Sequence, residues 1–195
     1  MITTSGKTDS RERDARRGKL AILFGDVART TFLIEVAGDL LVINALKEFF
    51  GRLSALESEY HGRVVKTFGD GFLAIFDDVV AALGFAASLQ KSLDTNPILV
   101  AEHRLMLRLS LHYEEVFLVK TSYGDDILGH AVNVVARINR CAQPGEVVIT
   151  DSARDALPSD QQQSVIPREV VAVKGVNASV QVSYIDPLIF QRSTE

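Results

Sequence analysis

Hydrophobic and polar positions along the chain follow two periods, one of about two residues and one of about 3.6, and the switches between them mark the elements. "LAILFGDVA", residues 20–28, is a continuous apolar run around Asp26 and predicts a central strand. From Asp39 to Tyr60, Leu40, Ile43, Leu46, Phe50, Leu53 and Leu56 recur at helical spacing with Lys47, Glu48, Arg52 and Glu57 among the polar positions, which predicts an amphipathic helix. "VVKTFGDGFLAIF", residues 64–76, is an apolar, β-branched run broken once by Gly-Asp-Gly; it predicts two short strands joined by a tight Asp-Gly turn. Asp77 to Leu93 is rich in alanine and predicts a second helix capped by Asp77 or Asp78. Leu105 to Val119 alternates like one long strand or a pair, "KTSYGDDILG" reads as a polar loop, "HAVNVVARINRCA" as a helix and "PGEVVIT" as a strand. Val165 to Ile185 predicts two antiparallel strands joined near "KGVNAS".

Strands and helices interleaved in this order predict an α+β fold. Its centre is a ferredoxin-like βαββαβ core with additional C-terminal strands, a mainly antiparallel sheet and helices on one face. A chain of 195 residues, 47% of them hydrophobic, suffices for one domain with a substantial core. We expect residues 1–18 to form a flexible tail and residues 19–195 to form that domain. The opening "MITTSGKTDSRERDARRGK" is polar and lacks the apolar segment of a secretory signal, and no later stretch is long enough to span a bilayer. A cytoplasmic protein without membrane insertion is expected. "SGKT" in that tail has the last letters of a phosphate-binding loop, but the first glycine and a preceding strand are missing.

Charge and cysteine usage narrow the function classes. A formal charge of -4 gives no broad basic surface for nucleic acid. Cys141 is the only cysteine, so neither a disulfide framework nor a zinc cluster is available, and a packed thiol is expected.

Two constellations carry chemistry. Asp26 ends the first strand and Asp70 sits at the hairpin tip; in a ferredoxin-like sheet these ends can lie side by side. Buried like charges repel unless a cation lies between them, and Mg²⁺ takes one or two carboxylates with substrate phosphates completing its shell. On spacing alone, an ordinary turn aspartate and a strand-end aspartate account for the pair equally well. Asn133 and Arg137, at i and i+4, form one polar stripe continued by Arg140, while Val135, Ile138 and Ala142 point elsewhere. Alone, that stripe reads as a solvated face.

"LFGDV", "VVKTFGDGFLAIF" and "GHAVNVVARI" together closely resemble, in order and spacing, the signature segments of the class III nucleotidyl cyclases, over about Lys19 to Asp186. The resemblance implies that Asp26 and Asp70 bind two divalent ions, Mg²⁺ or Mn²⁺. It further implies that Lys66 and Asp126 recognise the base, that Asn133 orients the ribose, and that Arg137 stabilises the pentavalent phosphorus. The implied enzyme is a phosphorus-oxygen lyase that converts a nucleoside triphosphate to a 3′,5′-cyclic nucleotide and pyrophosphate. It implies a head-to-tail homodimer in which one chain supplies the two aspartates and its partner supplies Lys66, Asp126, Asn133 and Arg137. The phosphate loop departs from the family, with "VARTT" after Asp26 and Arg29 where glycine is usual; Arg29, Thr30 and Thr31 are its candidate phosphate contacts, with Lys174 of "VKGV" a further one. "LHYEEV" also replaces the commoner "HTGEV". His61, His103, His112 and His130 are scattered and read as structural, His130 standing nearest to Asn133.

The base stays open. A lysine donor beside an aspartate acceptor suits adenine and cytosine, admits uracil and disfavours guanine. The short, stand-alone organisation is similar to that of the pyrimidine cyclases of bacterial antiphage systems, whose cyclic UMP or cyclic CMP triggers a separate effector protein, and the reading leans that way. Phe50, Arg29 and Tyr113 are the bulky residues expected to narrow the pocket. An adenylate cyclase making cyclic AMP is the alternative, and an inactive nucleotide-binding regulatory domain is the alternative from another class. A diguanylate cyclase is disfavoured because its Gly-Gly-Asp/Glu-Glu-Phe hairpin is absent. An RNA-binding module would need a basic surface and exposed sheet aromatics.

Overall fold

The apolar run around Asp26 belongs to a 13-residue strand, β1 (Ala15–Val27). It is paired antiparallel on one edge with β3 (Gly71–Phe76) and on the other with β6 (Leu107–Thr121). The computed structural model describes residues 15–172 and 179–186. Residues 1–14 of the expected tail, and Lys174 with most of "KGVNAS", lie outside the described residues, whereas Ala15 to Gly18 belong to β1. Because successive strand residues face opposite sides, Ala21 and Leu23 of β1 join one apolar cluster and Ile22 joins another. A run apolar on both faces must be covered on both.

The predicted hairpin is formed by β2 (Arg63–Phe68) and β3. Phe68 pairs with Gly71, so the two central turn residues are Gly69 and Asp70. Gly69 has φ 58, the positive value that a primed turn needs at its first central position. The turn is therefore Gly-Asp, one residue earlier than the expected Asp-Gly, and the aspartate occupies its second position.

The sheet runs in the order β2-β3-β1-β6-β8-β10-β9, with β7 (Gly124–Leu128) beside β6. Its further strands are β8 (Val147–Thr150), β9 (Val165–Ala172) and β10 (Ser179–Ile185). A two-strand ribbon of β4 (Leu99–Val100) and β5 (His103–Arg104) stands apart. The order β2-β3-β1-β6 is that of a ferredoxin-like unit, and β6–β8 is the parallel pair in an otherwise antiparallel sheet. The segment expected to be a loop, "KTSYGDDILG", instead continues β6, turns at residues 122–123 and returns as β7.

Three helices cover one face: α1 (Thr30–Ala37), α2 (Asp39–Glu57) and α3 (Val79–Thr95), the last capped by Asp78, whose Oδ1 accepts from Ala81 N–H at 2.8 Å. Phe49, Leu53, Phe85 and Leu89 pack there on Leu23, Phe72, Phe76 and Leu109. α4 (His130–Ile138) lies on the opposite face, with Ala131 and Val135 against Ile22, Leu73 and Ile75. The α+β class and mainly antiparallel sheet stand, but helices on a single face do not account for α4. Its position follows from the second face being as apolar as the first. Single-turn helices α5 (Asp151–Arg154) and α6 (Ser159–Gln162) follow β8. Cys141 is half-buried beside the cluster of Val134, Ile138 and Val148. Among the described residues no helix is long and apolar enough to cross a membrane.

In α2 the buried stripe is Val42, Ala45, Phe49 and Leu53, while Leu40 is 72% exposed and Ile43 47%. The helix carries apolar residues on adjoining stripes, and packing against β3 and α3 selects the one next to that predicted.

Candidate active site

The pairing of β1 with β3 sets Asp26 opposite Gly71, immediately beside Asp70, and the Val27 N–H donates to the Asp70 carbonyl at 3.2 Å. This approach depends on Gly25. A Cβ there would stand 2.3 Å from the Phe72 ring and 2.6 Å from Leu109, so a side chain at position 25 would force the strands that carry the carboxylates to shift.

Each carboxylate has its own partner. Arg108, opposite Asp26 in the β1–β6 ladder, donates from Nε to Oδ1 at 3.1 Å and from Nη2 to Oδ2 at 2.8 Å, a bidentate, charge-assisted contact. The Thr30 hydroxyl lies within hydrogen-bonding reach of Asp70 Oδ2 and of the Val27 carbonyl, 3.0 Å away. Arg108 is the residue sequence reading missed. The signal available was a lone arginine in the alternating run Leu105 to Leu111, but its partner follows only from strand register.

Two adjacent, half-buried carboxylates with a hydroxyl beside them form a set of hard oxygen donors, which suits a hard divalent cation. Among the described residues no group of three or more histidines, cysteines or carboxylates comes together, so further oxygens would come from backbone carbonyls, substrate or water.

The chain then enters α1 through Arg29, whose φ of 61 places a non-glycine residue in the left-handed region. The Ala28 N–H donates to the Met106 carbonyl at 2.8 Å, and the first helical bond runs from the Leu33 N–H to the Arg29 carbonyl. The N–H groups of Thr30, Thr31 and Phe32 consequently have no acceptor within the helix and form a start suited to an anion.

A second cluster lies on the α4 face. Lys66 Nζ donates to both oxygens of Asp126, at 2.8 and 2.9 Å, and Arg63 meets Asp125 at 2.8 Å. A bulge between Val64 and Lys66 makes this possible. Val64 pairs with Ala74 of the three-helix face, yet Lys66 pairs with Leu73 of the α4 face; the extra residue re-aims the lysine. Asp126 is further fixed by the Ile127 N–H, 2.7 Å from its Oδ1.

On α4, Asn133 and Arg137 are exposed along one stripe while Ala131, Val134, Val135 and Ile138 are buried, and Arg140 is exposed in the 3-10 turn Asn139–Cys141 that follows. The side chains of Asn133 and Arg137 make no hydrogen bond or ion pair among the described residues. Nor does any such contact join the Asp26–Asp70 cluster to Lys66, Asp126, Asn133 or Arg137. The chain thus presents two separate polar clusters.

The remaining expectations divide. His112 is buried beneath α4, with Nδ1 2.9 Å from Thr150 Oγ1 and 3.2 Å from Ser152 Oγ. Burial pushes its pKa from 6.5 down to about 4, with Glu114 opposing and His130 adding to the shift, so it is a neutral structural group at pH 7. His61, His103 and His130 are exposed. Phe50 and Tyr113 do not line the Lys66–Asp126 cluster. Both pack with the three-helix core, Phe50 5.1 Å from Phe49 and Tyr113 beneath Lys19 Nζ at 4.6 Å; Arg29 stands at the start of α1.

A sheet of this order, with one polar cluster at a strand end and another under a polar helix stripe, is the frame of a nucleotidyl cyclase. The chain belongs to the adenylate and guanylate cyclase catalytic domain family, whose model matches residues 13–185. It is 30% identical over 171 residues to putative adenylate cyclase 3 of Rhizobium meliloti (strain 1021), a match covering 86% of this chain and 28% of that protein, so the chain spans little more than a quarter of that relative's length. The adenylyl cyclase CyaB from P. aeruginosa superposes with a TM-score of 0.76 at 19% identity, covering 88% of this chain and 95% of the other. The guanylyl cyclase Cya2 does so with a TM-score of 0.78 at 21% identity, covering 88% and 93%. The chain thus carries the catalytic domain of that family over nearly its whole length.

Proposed function

We propose that the domain cyclises a nucleoside triphosphate at sites shared by two chains of a head-to-tail homodimer. The observation that carries this reading is the adjacency of Asp26 and Asp70 at the entrance to α1. Asp26 and Asp70 would hold two divalent ions, Mg²⁺ or Mn²⁺. Bound there, the ions would make the 3′-hydroxyl more acidic and neutralise the leaving phosphates. The bond formed is 3′-O to Pα and the bond broken is Pα to the bridging oxygen of pyrophosphate; the hydroxyl proton passes to solvent.

The chain's own residues supply position and charge. Arg29, Thr30, Thr31 and the free amides of α1 receive the phosphates; Lys174 retains that role by resemblance alone. Lys66 and Asp126 present a donor and an acceptor to the base. Asn133 orients the ribose, and Arg137 neutralises charge on the non-bridging oxygens as the phosphorus becomes five-coordinate. Since Asn133 and Arg137 have no contact with the aspartates of their own chain, the partner is the natural source of the second half of each site.

For the base, adenine comes first on the strength of a relative named a putative adenylate cyclase, since the Lys66–Asp126 pair suits adenine and cytosine alike. The pyrimidine reading, with cyclic UMP or cyclic CMP as a signal to an antiviral effector, keeps the same donor-acceptor argument but loses the narrowing assigned to Phe50 and Tyr113. Incubation with each of the four nucleoside triphosphates and Mg²⁺ or Mn²⁺, with products identified by mass, tests the proposal. A cyclic nucleotide and pyrophosphate, abolished by chelation, are expected. Metal-dependent binding without turnover of any of the four would replace the enzyme by a regulatory nucleotide-binding domain.

A further inference from the structure

Between α1 and β5 lies a half-open cleft of about 430 Å³ that shares Arg29 with the proposed phosphate contacts and is otherwise walled by residues given no part in the substrate site. Arg29 and Arg104 bring two guanidinium groups to it and His103 an imidazole, while Phe32, Leu33, Met106 and Pro144 give it apolar surface. Phe32 and His103 meet edge to face with ring centroids 5.2 Å apart. No carboxylate lines the cleft. Neither guanidinium makes a hydrogen bond or ion pair among the described residues, although Glu102 and Asp94 lie near Arg104 in the chain or in space.

We propose that this cleft binds a small organic anion carrying a flat ring, as an effector whose site adjoins that of the substrate and shares Arg29 with it. Its volume falls in the range of small-molecule sites, which are apolar with a few placed polar groups. Two guanidinium groups without counter-ions attract an oxyanion and can grip it bidentately. Phe32 and Met106, 41% and 44% exposed, leave apolar surface in water that a ring would cover. Inorganic phosphate satisfies the arginines alone and a neutral ring only the apolar wall; a ring-bearing anion satisfies both.

The cleft is also joined to the carboxylates. Its residue Ala28 donates to the Met106 carbonyl at 2.8 Å, and Arg29 directly precedes Thr30, whose hydroxyl reaches Asp70. An occupant drawn between α1 and β5 acts on the turn that positions Thr30, so its effect is exerted on Asp70 and not on the base-reading cluster. The inference goes beyond the cyclase reading and stands without it.

The test is calorimetric binding in EDTA, without metal, of three probes: a nucleoside monophosphate, salicylate and inorganic phosphate. At least one ring-bearing anion is expected to bind tenfold or more tightly than inorganic phosphate, and whether it is the phosphate ester or the carboxylate identifies the natural oxyanion. Arg104→Glu is expected to weaken that binding at least tenfold while leaving basal turnover within twofold of wild type; Arg104 is exposed, so folding is retained. Lys66→Ala is expected to leave the binding unchanged. Equal or weaker binding of both ring-bearing anions relative to inorganic phosphate overturns the proposal. So does wild-type binding by both Arg104→Glu and His103→Ala, or loss of binding in Lys66→Ala, which would assign the anion to the substrate site. A chain that binds these anions but cyclises nothing would refute the proposed activity and leave the cleft intact.

Discussion

The guanidinium of Arg108 grips Asp26 through two parallel hydrogen bonds, at 3.1 and 2.8 Å, across the β1–β6 ladder. A cation entering at Asp26 must compete with a cation already there. Arg108→Ala should therefore tighten Mn²⁺ binding by the nucleotide-free protein about three- to tenfold, the equivalent of roughly 1 kcal/mol of released competition, measured by free-Mn²⁺ electron paramagnetic resonance. A merely structural arginine would give unchanged or weaker binding on removal, and that result would refute the competition.

Thr30 holds Asp70 from the first turn of α1. Thr30→Val keeps the shape and removes the hydroxyl, so Asp70 loses a partner worth about 1 kcal/mol or more. Turnover should fall about tenfold, with Thr30→Ser restoring most of it. If the valine and serine variants turned over equally, the hydroxyl would have no part in placing the carboxylate.

Which parts of this arrangement were legible in sequence follows the range of the interaction. β1, the hairpin and α3 are written locally, in an apolar run, a Gly-Asp-Gly break and the Asp78 cap, and all three form. The polar stripe of Asn133 and Arg137 is likewise a matter of helical period. Arg108 was invisible because its partner is 82 residues away and is reached only through strand register. The bulge that turns Lys66 to the α4 face has no local signature in "VVKTF". α2 offers apolar residues on neighbouring stripes, so its buried face is decided by what it packs against, and β7 was concealed because "GDDIL" is stabilised as a strand by β6 and by two ion pairs to β2.

Lys66 and Asp126 form an exposed to half-exposed pair, so stability should change by only about 0.2–1 kcal/mol when either is replaced by alanine. If they read the base, kcat/KM should nonetheless fall about tenfold or more for each single variant, and less than multiplicatively for the double variant. Parallel losses of melting temperature and activity would make the pair a structural clamp.

The shared-site arrangement has its own test in complementation. Asp26→Asn disables one half of the site and Arg137→Ala the other, and each alone should be inactive. Random mixing of the two makes about half of the dimers mixed, each with one intact site of two, so about a quarter of wild-type turnover should return. No recovery after subunit exchange, verified by mass spectrometry of the mixed dimers, would place both halves within one chain.

His112 provides the acid limit of the fold. Its pKa is lowered from 6.5 to about 4, chiefly by burial, with Glu114 raising it and His130 lowering it. The unfolded chain therefore binds a proton in a pH range where the native chain refuses one. Stability from the neutral, buried ring is present above pH 6.5 and is lost as pH falls through that value towards 4, by about 3 kcal/mol in all. Denaturant titrations between pH 7 and pH 4 should show this loss in wild type. In His112→Asn, which cannot titrate, the slope should flatten by about that amount even though the variant starts less stable through altered bonds to Thr150 and Ser152. Equal slopes for the two proteins would mean that the ring gains a proton in the native state as readily as in the unfolded one, and that the acid limit is set by other groups.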